Sequence, residues 1–187
     1  MNATKTQPTV IGTRPYLNQL NLQAMPKITF MGEHVKYCES VCSLGVHIDQ
    51  TLSWDIHAMK VINKVFSTLA QIRRNVGCLP FSIRKVLVQT LIFPNFDYAS
   101  VVMMGMSSTL NCKMQRAQNA CIRFIYGARR DEHITPYYLR LGWLKLYERR
   151  KLQVAMLLLN VVKSIKPTYL YNDLIFVIRP FSNFKTK

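Results

Sequence analysis

The sequence predicts an α+β fold, with a small N-terminal antiparallel β-sheet followed by a mainly helical bundle. Apolar residues alternate over much of the chain before Leu52, then recur at three- and four-residue spacing after it. With 49% hydrophobic residues in a chain of 187, there is enough apolar surface to bury one core. No internal repeat or low-complexity tract interrupts it. Segments 1–52 (β-rich), 53–127 (helical bundle) and 128–187 (C-terminal helices and a frayed tail) are therefore expected to pack as one compact unit.

The elements follow from local chemistry. PTVIG is a short apolar run ended by Gly12, and KITFMGEHVKY has two strand-like halves around Gly32 and Glu33, which predicts a hairpin turning at Met31-Gly32. VCSLGVHID supplies a third strand, with Val41, Leu44, Val46 and Ile48 mostly alternating. After Asp49 the period changes. Ser53 is the expected N-cap of a first helix, with Asp55 placed where its charge favours the helix dipole. Ile62, Val65, Phe66, Leu69, Ile72 and Val76 form its apolar stripe, opposite Lys60, Lys64, Ser67, Gln71 and Arg74. Gly77 and Pro80 should end it. A second helix is expected from Ser82, with Ile83, Val86, Leu87 and Leu91 inward and a break or kink at Pro94. A third, near Ser108 to Tyr126, has Leu110, Met114, Ala117, Cys121 and Phe124 on one side and Lys113, Arg116 and Arg123 on the other. Cys112 is also expected in the core. A short helix around Pro136 to Leu141 and a long one from Leu144 to about Ser164 flank Gly142. Arg149, Arg150 and Lys151 give the long helix a basic start, against its dipole, and are expected to be exposed above buried Val154, Leu158 and Val161. Beyond Lys166-Pro167 the periodicity fades, and RPFSNFKTK is expected to fray.

Charge points to a partner. Lysine and arginine number 25 against 9 acidic residues, a formal net charge of +16. The basic residues are spread over helical segments with aromatics between them, which suits a folded nucleic-acid-binding surface better than a disordered basic arm. Lys60, Lys64, Arg74, Lys113, Arg116, Arg123, Arg149, Arg150 and Lys151 are the candidate contacts to RNA, DNA or an RNA-DNA hybrid. The start MNATKTQP has no apolar signal segment, and VAMLLLNVV is far shorter than the roughly 20 residues of a membrane span. The expected setting is intracellular, in nucleus or cytoplasm, with no membrane partner. Five cysteines without paired spacing fit reduced thiols.

Catalytic chemistry finds little support. Two-metal catalysis needs clustered carboxylates, yet Asp131-Glu132 is the sole adjacent acidic pair and falls in a turn-like ARRDEH. His34, Cys38, Cys42 and His47 superficially resemble a zinc site, but their spacing matches no finger or knuckle, and the alternation of a strand pair explains the same residues. The glycines are isolated, so no phosphate-binding loop can be written. Neither a catalytic residue, a metal nor a cofactor is expected.

NATKTQPTVIG, LGVHIDQTLSWDIH, LIFPNFDYASVV, MQRAQNACIRFIYG and EHITPYYLRLGWLKLYERR occur in that order. Together they resemble the region C-terminal to the catalytic palm in reverse transcriptases of non-LTR retrotransposons, the jockey-like elements of arthropods in particular. The resemblance runs from about Asn2 to Ile178. It implies a primer-grip-like segment before Leu52 and a thumb-like bundle after it that holds template and primer. It also implies a truncated copy, because the aromatic-x-Asp-Asp palm turn, the fingers and the endonuclease have no counterpart here. Asp97, in FPNFDYAS, matches a thumb-region pattern and not a catalytic turn. Trp54 is expected to pack between sheet and helix. The expected function is non-catalytic gripping of template-primer by a basic helical face. The alternative is a protein-interaction or structural module that oligomerises through its apolar C-terminal helix, with the basic face incidental.

Overall fold

In the computed structural model, residues 6–21, 25–30 and 32–178 are described, the last four without their side chains. Two short antiparallel hairpins precede a set of packed helices. Met31 of the first hairpin's turn, Asn2 to Lys5 of NATKTQ, and the tail from Arg179 on lie outside the described residues.

The N-terminal part departs from a single sheet. PTVIG forms no strand, and helix α1 (Arg14–Gln19) follows it. Strands β1 (Ile28–Phe30) and β2 (Glu33–Val35) pair with Ile28 opposite Val35, while β3 (Ser40–Ser43) and β4 (Val46–Asp49) pair with Cys42 opposite His47. These are separate two-stranded sheets. What looks like one strand in VCSLGVHID is a hairpin, because Leu44 at φ 48° and Gly45 at φ 79° both take the left-handed conformation that a two-residue turn of this hand demands. Tyr98 donates its hydroxyl to the Leu44 carbonyl and so ties this turn to the bundle.

Asp49 ends β4 and organises the entry to helix α2 (Asp55–Arg73). Its carboxylate accepts from the amides of Thr51 at 3.1 Å and Ser53 at 2.9 Å, and from the Ser53 hydroxyl at 2.7 Å. Burial alone would raise this carboxyl, but those donors hold it below its ordinary value. The cap itself is Trp54, in left-handed conformation at φ 64°, and not Ser53, whose hydroxyl is engaged with Asp49. Trp54 packs half-buried against the core.

Helix α2 buries Ala58, Val61, Ile62, Val65 and Leu69 against helix α5 (Ser108–Tyr126), which supplies Leu110, Met114, Ala117, Cys121, Ile122, Phe124 and Ile125. Ser107 caps α5 by accepting from the Leu110 amide, and Gly127 at φ 66° closes it. Cys121 is fully buried, which pushes its thiol up to about 12, whereas Cys112 is exposed on the far side.

Between them runs one continuous helical rod. Helix α3 (Phe81–Leu87) widens into a π turn at Val88–Ile92 and continues as α4 (Phe93–Asp97). Pro94 therefore does not break it. The π turn shifts the bonding pattern ahead of the missing amide, and Asn95 Nδ2 donates to the Leu91 and Ile92 carbonyls at 2.9 and 3.2 Å. Val88 and Ile92 are inside while Ile83, Val86 and Leu91 are exposed, contrary to the periodicity reading.

Helix α6 (Thr135–Leu141) and helix α7 (Leu146–Ser164) are joined at Gly142, at φ 65°. Helix α8 (Thr168–Ile178) occupies the stretch where the periodicity fades. A buried polar network holds α6 and α7 to α5. The Tyr138 hydroxyl lies 2.8 Å from both Gln118 Oε1 and Asn119 Oδ1, and Gln115 Nε2 donates to it at 2.6 Å. Gln118 in turn donates to the Leu144 carbonyl at 3.0 Å, and the Leu146 amide to Gln115 Oε1 at 3.0 Å. Among the described residues no helix is long and apolar enough to cross a membrane.

Candidate nucleic-acid interface

Phe66 and Arg73 lie about two turns apart on α2, and Arg116 and Arg123 have the same spacing on α5, so each pair shares one stripe of its helix. The two stripes flank the α2–α5 contact. They open a groove of about 1080 Å³, lined by Phe66, Arg73, Val76, Arg116, Arg123 and Arg130 together with residues at and just beyond the end of α5, Phe124 among them.

The loop after Gly127 completes it. Arg123 donates to the carbonyls of Arg129 at 3.2 Å and Glu132 at 3.3 Å, folding residues 128–132 back toward α5 and carrying Arg130 to the groove wall. The acidic residues of this loop are engaged elsewhere. Glu132 accepts from the Tyr137 hydroxyl and from the Arg129 amide at 2.7 Å, bonds that hold its carboxyl below the ordinary range. Asp131 sits 4.0 Å from Arg129, both of them solvated.

Four arginines therefore line one concavity whose lining holds no carboxylate. Among the described residues Arg73, Arg116 and Arg130 have no hydrogen-bond or ion-pair partner. Cations held together on low-dielectric walls raise the local concentration of anions well beyond what the same charges dispersed would achieve. Guanidinium forks also match phosphate oxygens geometrically.

Of the residues expected from sequence, Arg116 and Arg123 enter this groove. Lys60, Lys64 and Arg74 form a separate exposed stripe on α2, where Lys60 Nζ sits 3.2 Å from both ring nitrogens of His47. Lys113 is exposed but outside the lining.

The basic start of α7 is a correction. Arg149 makes a two-pronged ion pair with Asp97, both contacts 2.6 Å, and lies 5.2 Å above the Phe93 ring. Arg150 is buried at 3% exposure, donating to Asn111 Oδ1 at 2.9 Å and the Met103 carbonyl at 3.4 Å. Both are fastenings between helices. Lys151 alone is exposed, over the Tyr147 ring at 4.4 Å. Burial on this helix follows expectation only in part: Val161 is inside as expected, but Val154 and Leu158 are only half-buried, and Leu152, Met156, Leu157, Leu159 and Val162 are exposed.

Arg73, Arg130 and Phe66 were missed by pattern. Arg73 sits at the edge of an apolar stripe, Arg130 lies in a loop, and Phe66 belongs to the expected apolar stripe, yet it is 43% exposed. The spacing of Phe66 to Arg73, equal to that of Arg116 to Arg123, is the signal that could have found them.

Asp97 is occupied by Arg149 and Gln153. Among the described residues no group of three or more His, Cys, Asp or Glu side chains is placed to hold a metal ion. Comparison of the chain with protein families, with characterised proteins and with solved structures finds no match.

Proposed function

We propose that this chain is a non-catalytic nucleic-acid-binding module, akin to the thumb-like region of a non-LTR retrotransposon reverse transcriptase. The observation that carries the binding function is the α2–α5 groove, where four arginines converge without a carboxylate in the lining. A net charge of +16 supports it, and the ordered series of motifs supports the retroelement origin. Phosphates are the natural ligands, held with little sequence preference.

Position separates this reading from generic attraction by charge. Arg73→Ala, Arg116→Ala and Arg130→Ala combined remove three cations from the groove, while Lys60→Ala, Lys64→Ala and Arg74→Ala remove three from the α2 stripe. Both triple variants have the same net charge. The groove variant should flatten the slope of log affinity against log salt by about 2 to 3, and the stripe variant by clearly less. Equal losses would mean that the groove is not the site. Primer extension on a primed RNA template with Mg²⁺ should show no incorporation above a buffer control, and incorporation would overturn the non-catalytic part.

The exposed side of α7 favours a second reading, self-association. Glu148, Leu152, Leu159 and Lys163 share one stripe of this helix. An antiparallel pair of α7 helices would bury the two leucines and set Glu148 of each copy beside Lys163 of the other. Sedimentation of the chain and of Leu152→Glu should then show a dimer that the substitution dissociates. A monomer at every concentration would remove this reading.

A further inference from the structure

We propose that the α2–α5 groove takes an unpaired strand, with a base stacked on Phe66 and the flanking phosphates on Arg73, Arg116, Arg123 and Arg130. This rests on the nucleic-acid-binding reading and names the form of nucleic acid.

The first support is Phe66 itself. A ring that is 43% exposed among cationic side chains remains in contact with water in the free protein, and a flat apolar partner would cover it. In a duplex the base faces are stacked on one another and only edges and phosphates are accessible. In a single strand both the π faces and the phosphates are free, and aromatic stacking is indifferent to sequence because every base has such a face.

Size gives the second support. The groove, at about 1080 Å³, slightly exceeds the roughly 300 to 1,000 Å³ typical of pockets that enclose small organic ligands, so it can hold a few nucleotides. A double helix could lie across its mouth but not enter.

The third support is the choice of cation. Every cationic residue of the lining is arginine, whose planar group can stack on a base as well as fork onto a phosphate. By contrast the outer stripe on α2 carries Lys60, Lys64 and Arg74 with Ser67 and Gln71 between them, all exposed and without an aromatic. That surface suits the phosphates of a duplex, and the groove suits a strand.

The test uses fluorescence anisotropy on the full chain with three labelled probes of equal length: oligouridylate, oligodeoxythymidylate and a blunt DNA duplex. At least one single strand should bind about tenfold or more tightly than the duplex. Phe66→Leu keeps an apolar side chain of similar reach but loses the ring. It should weaken single-strand binding about fivefold or more and leave duplex binding within twofold. Phe66→Trp should restore single-strand affinity, which excludes a folding defect at this position as the cause. Arg116→Ala should reduce the salt slope on the single strand by about 0.7, the increment for one phosphate contact on an unpaired chain. If the duplex binds as tightly as the strands, or Phe66→Leu weakens all probes alike or none, the inference is overturned. It would fall alone where Arg116→Ala still weakens binding. If the arginine substitution is also without effect, the nucleic-acid function of the groove falls with it.

Discussion

Leu44 occupies the first corner of the β3–β4 turn at φ 48° and is 88% exposed, so it carries the steric cost of left-handed backbone without compensating burial. Asn tolerates that conformation better, and Asn before Gly45 is the preferred pair for such a turn. Leu44→Asn should therefore stabilise the protein by about 1 kcal/mol, read as a rise in the urea midpoint at unchanged slope. The contact from Tyr98 goes to the Leu44 carbonyl and survives the change. His57 presents the opposite situation, a polar group held inside. It is 4% exposed, its Nδ1 accepts from the His47 amide at 3.3 Å, and its Nε2 has no hydrogen-bond partner among the described residues. Burial first, then the neighbouring His47 and Lys60, lower its pKa below 6.5. Above that value both folded and unfolded chains carry it neutral, and its contribution to stability is fully present. As pH falls below about 6.5 the unfolded chain takes up the proton first, and stability declines until the folded pKa is passed. Urea midpoints at pH 8 and pH 5.5 should show this decline. His57→Asn, which keeps an acceptor for the His47 amide, should make it shallower, though His47 continues to titrate. An unchanged decline would mean that His57 is already compensated.

At the scale of elements, the polar network around Tyr138 fixes how α6 and α7 meet α5. Tyr138→Phe removes the hydroxyl that meets Gln115, Gln118 and Asn119, while Gln115 Nε2 still donates to Gln118 Oε1 at 2.9 Å. A loss of about 1 kcal/mol is expected in equilibrium denaturation. A loss under half that value would show that water replaces the hydroxyl. The sequence pattern could not have found this network, because its members lie on three elements and each is an ordinary polar residue locally. Helix α5 was legible in its bounds and apolar stripe, since Ser107 and Gly127 bracket an uninterrupted period, but Cys112, expected in the core, is exposed and Gln118 is buried by bonds to Leu144 and Tyr138. In the rod of α3 and α4 the π turn inserts a residue that a fixed period cannot anticipate, which accounts for Leu91; Ile83 and Val86 precede it, and their exposure has no such explanation. The start of α7 was misread for a different reason. Burial of Arg149 and Arg150 depends on Asp97, Met103 and Asn111, all far away in sequence. The groove was half legible. Arg116 and Arg123 follow from the amphipathic pattern of α5, whereas Arg130 reaches it only through a loop whose path is set by Arg123.

For the whole molecule, the charge that suits a polyanion also works against the fold. With 25 cations and 9 anions, most basic residues have no acidic partner available, and net self-repulsion disfavours the compact state. Attraction offsets little of this. The described residues hold four ion pairs, and only Arg149–Asp97 is substantially shielded from solvent, with side-chain exposures of 34% and 27%. Exposed pairs contribute about 0 to 1 kcal/mol each and weaken with salt, as the repulsion does. Repulsion among many cations is the larger sum, so screening should favour the folded chain. Between 0.01 and 0.1 M NaCl the screening length contracts from about 30 Å to about 10 Å, a distance over which unpaired cations on neighbouring helices still interact. Each kcal/mol gained would raise Tm by about 2 to 4 °C for a chain of this size, so a rise of a few degrees is expected by calorimetry. Affinity for a single strand should move the other way over the same salt range. With four phosphate contacts the slope is about −3, a loss of several hundredfold or more. The two readouts together distinguish a binding surface from mere charge excess, because the Arg73, Arg116 and Arg130 triple variant and the Lys60, Lys64 and Arg74 triple variant should relieve repulsion about equally while only the first strongly flattens the affinity slope. A Tm that falls as salt rises would show that attractive pairs dominate the electrostatics of this fold, and the view of α2 and α5 as cationic surfaces awaiting an anion would lose its physical basis.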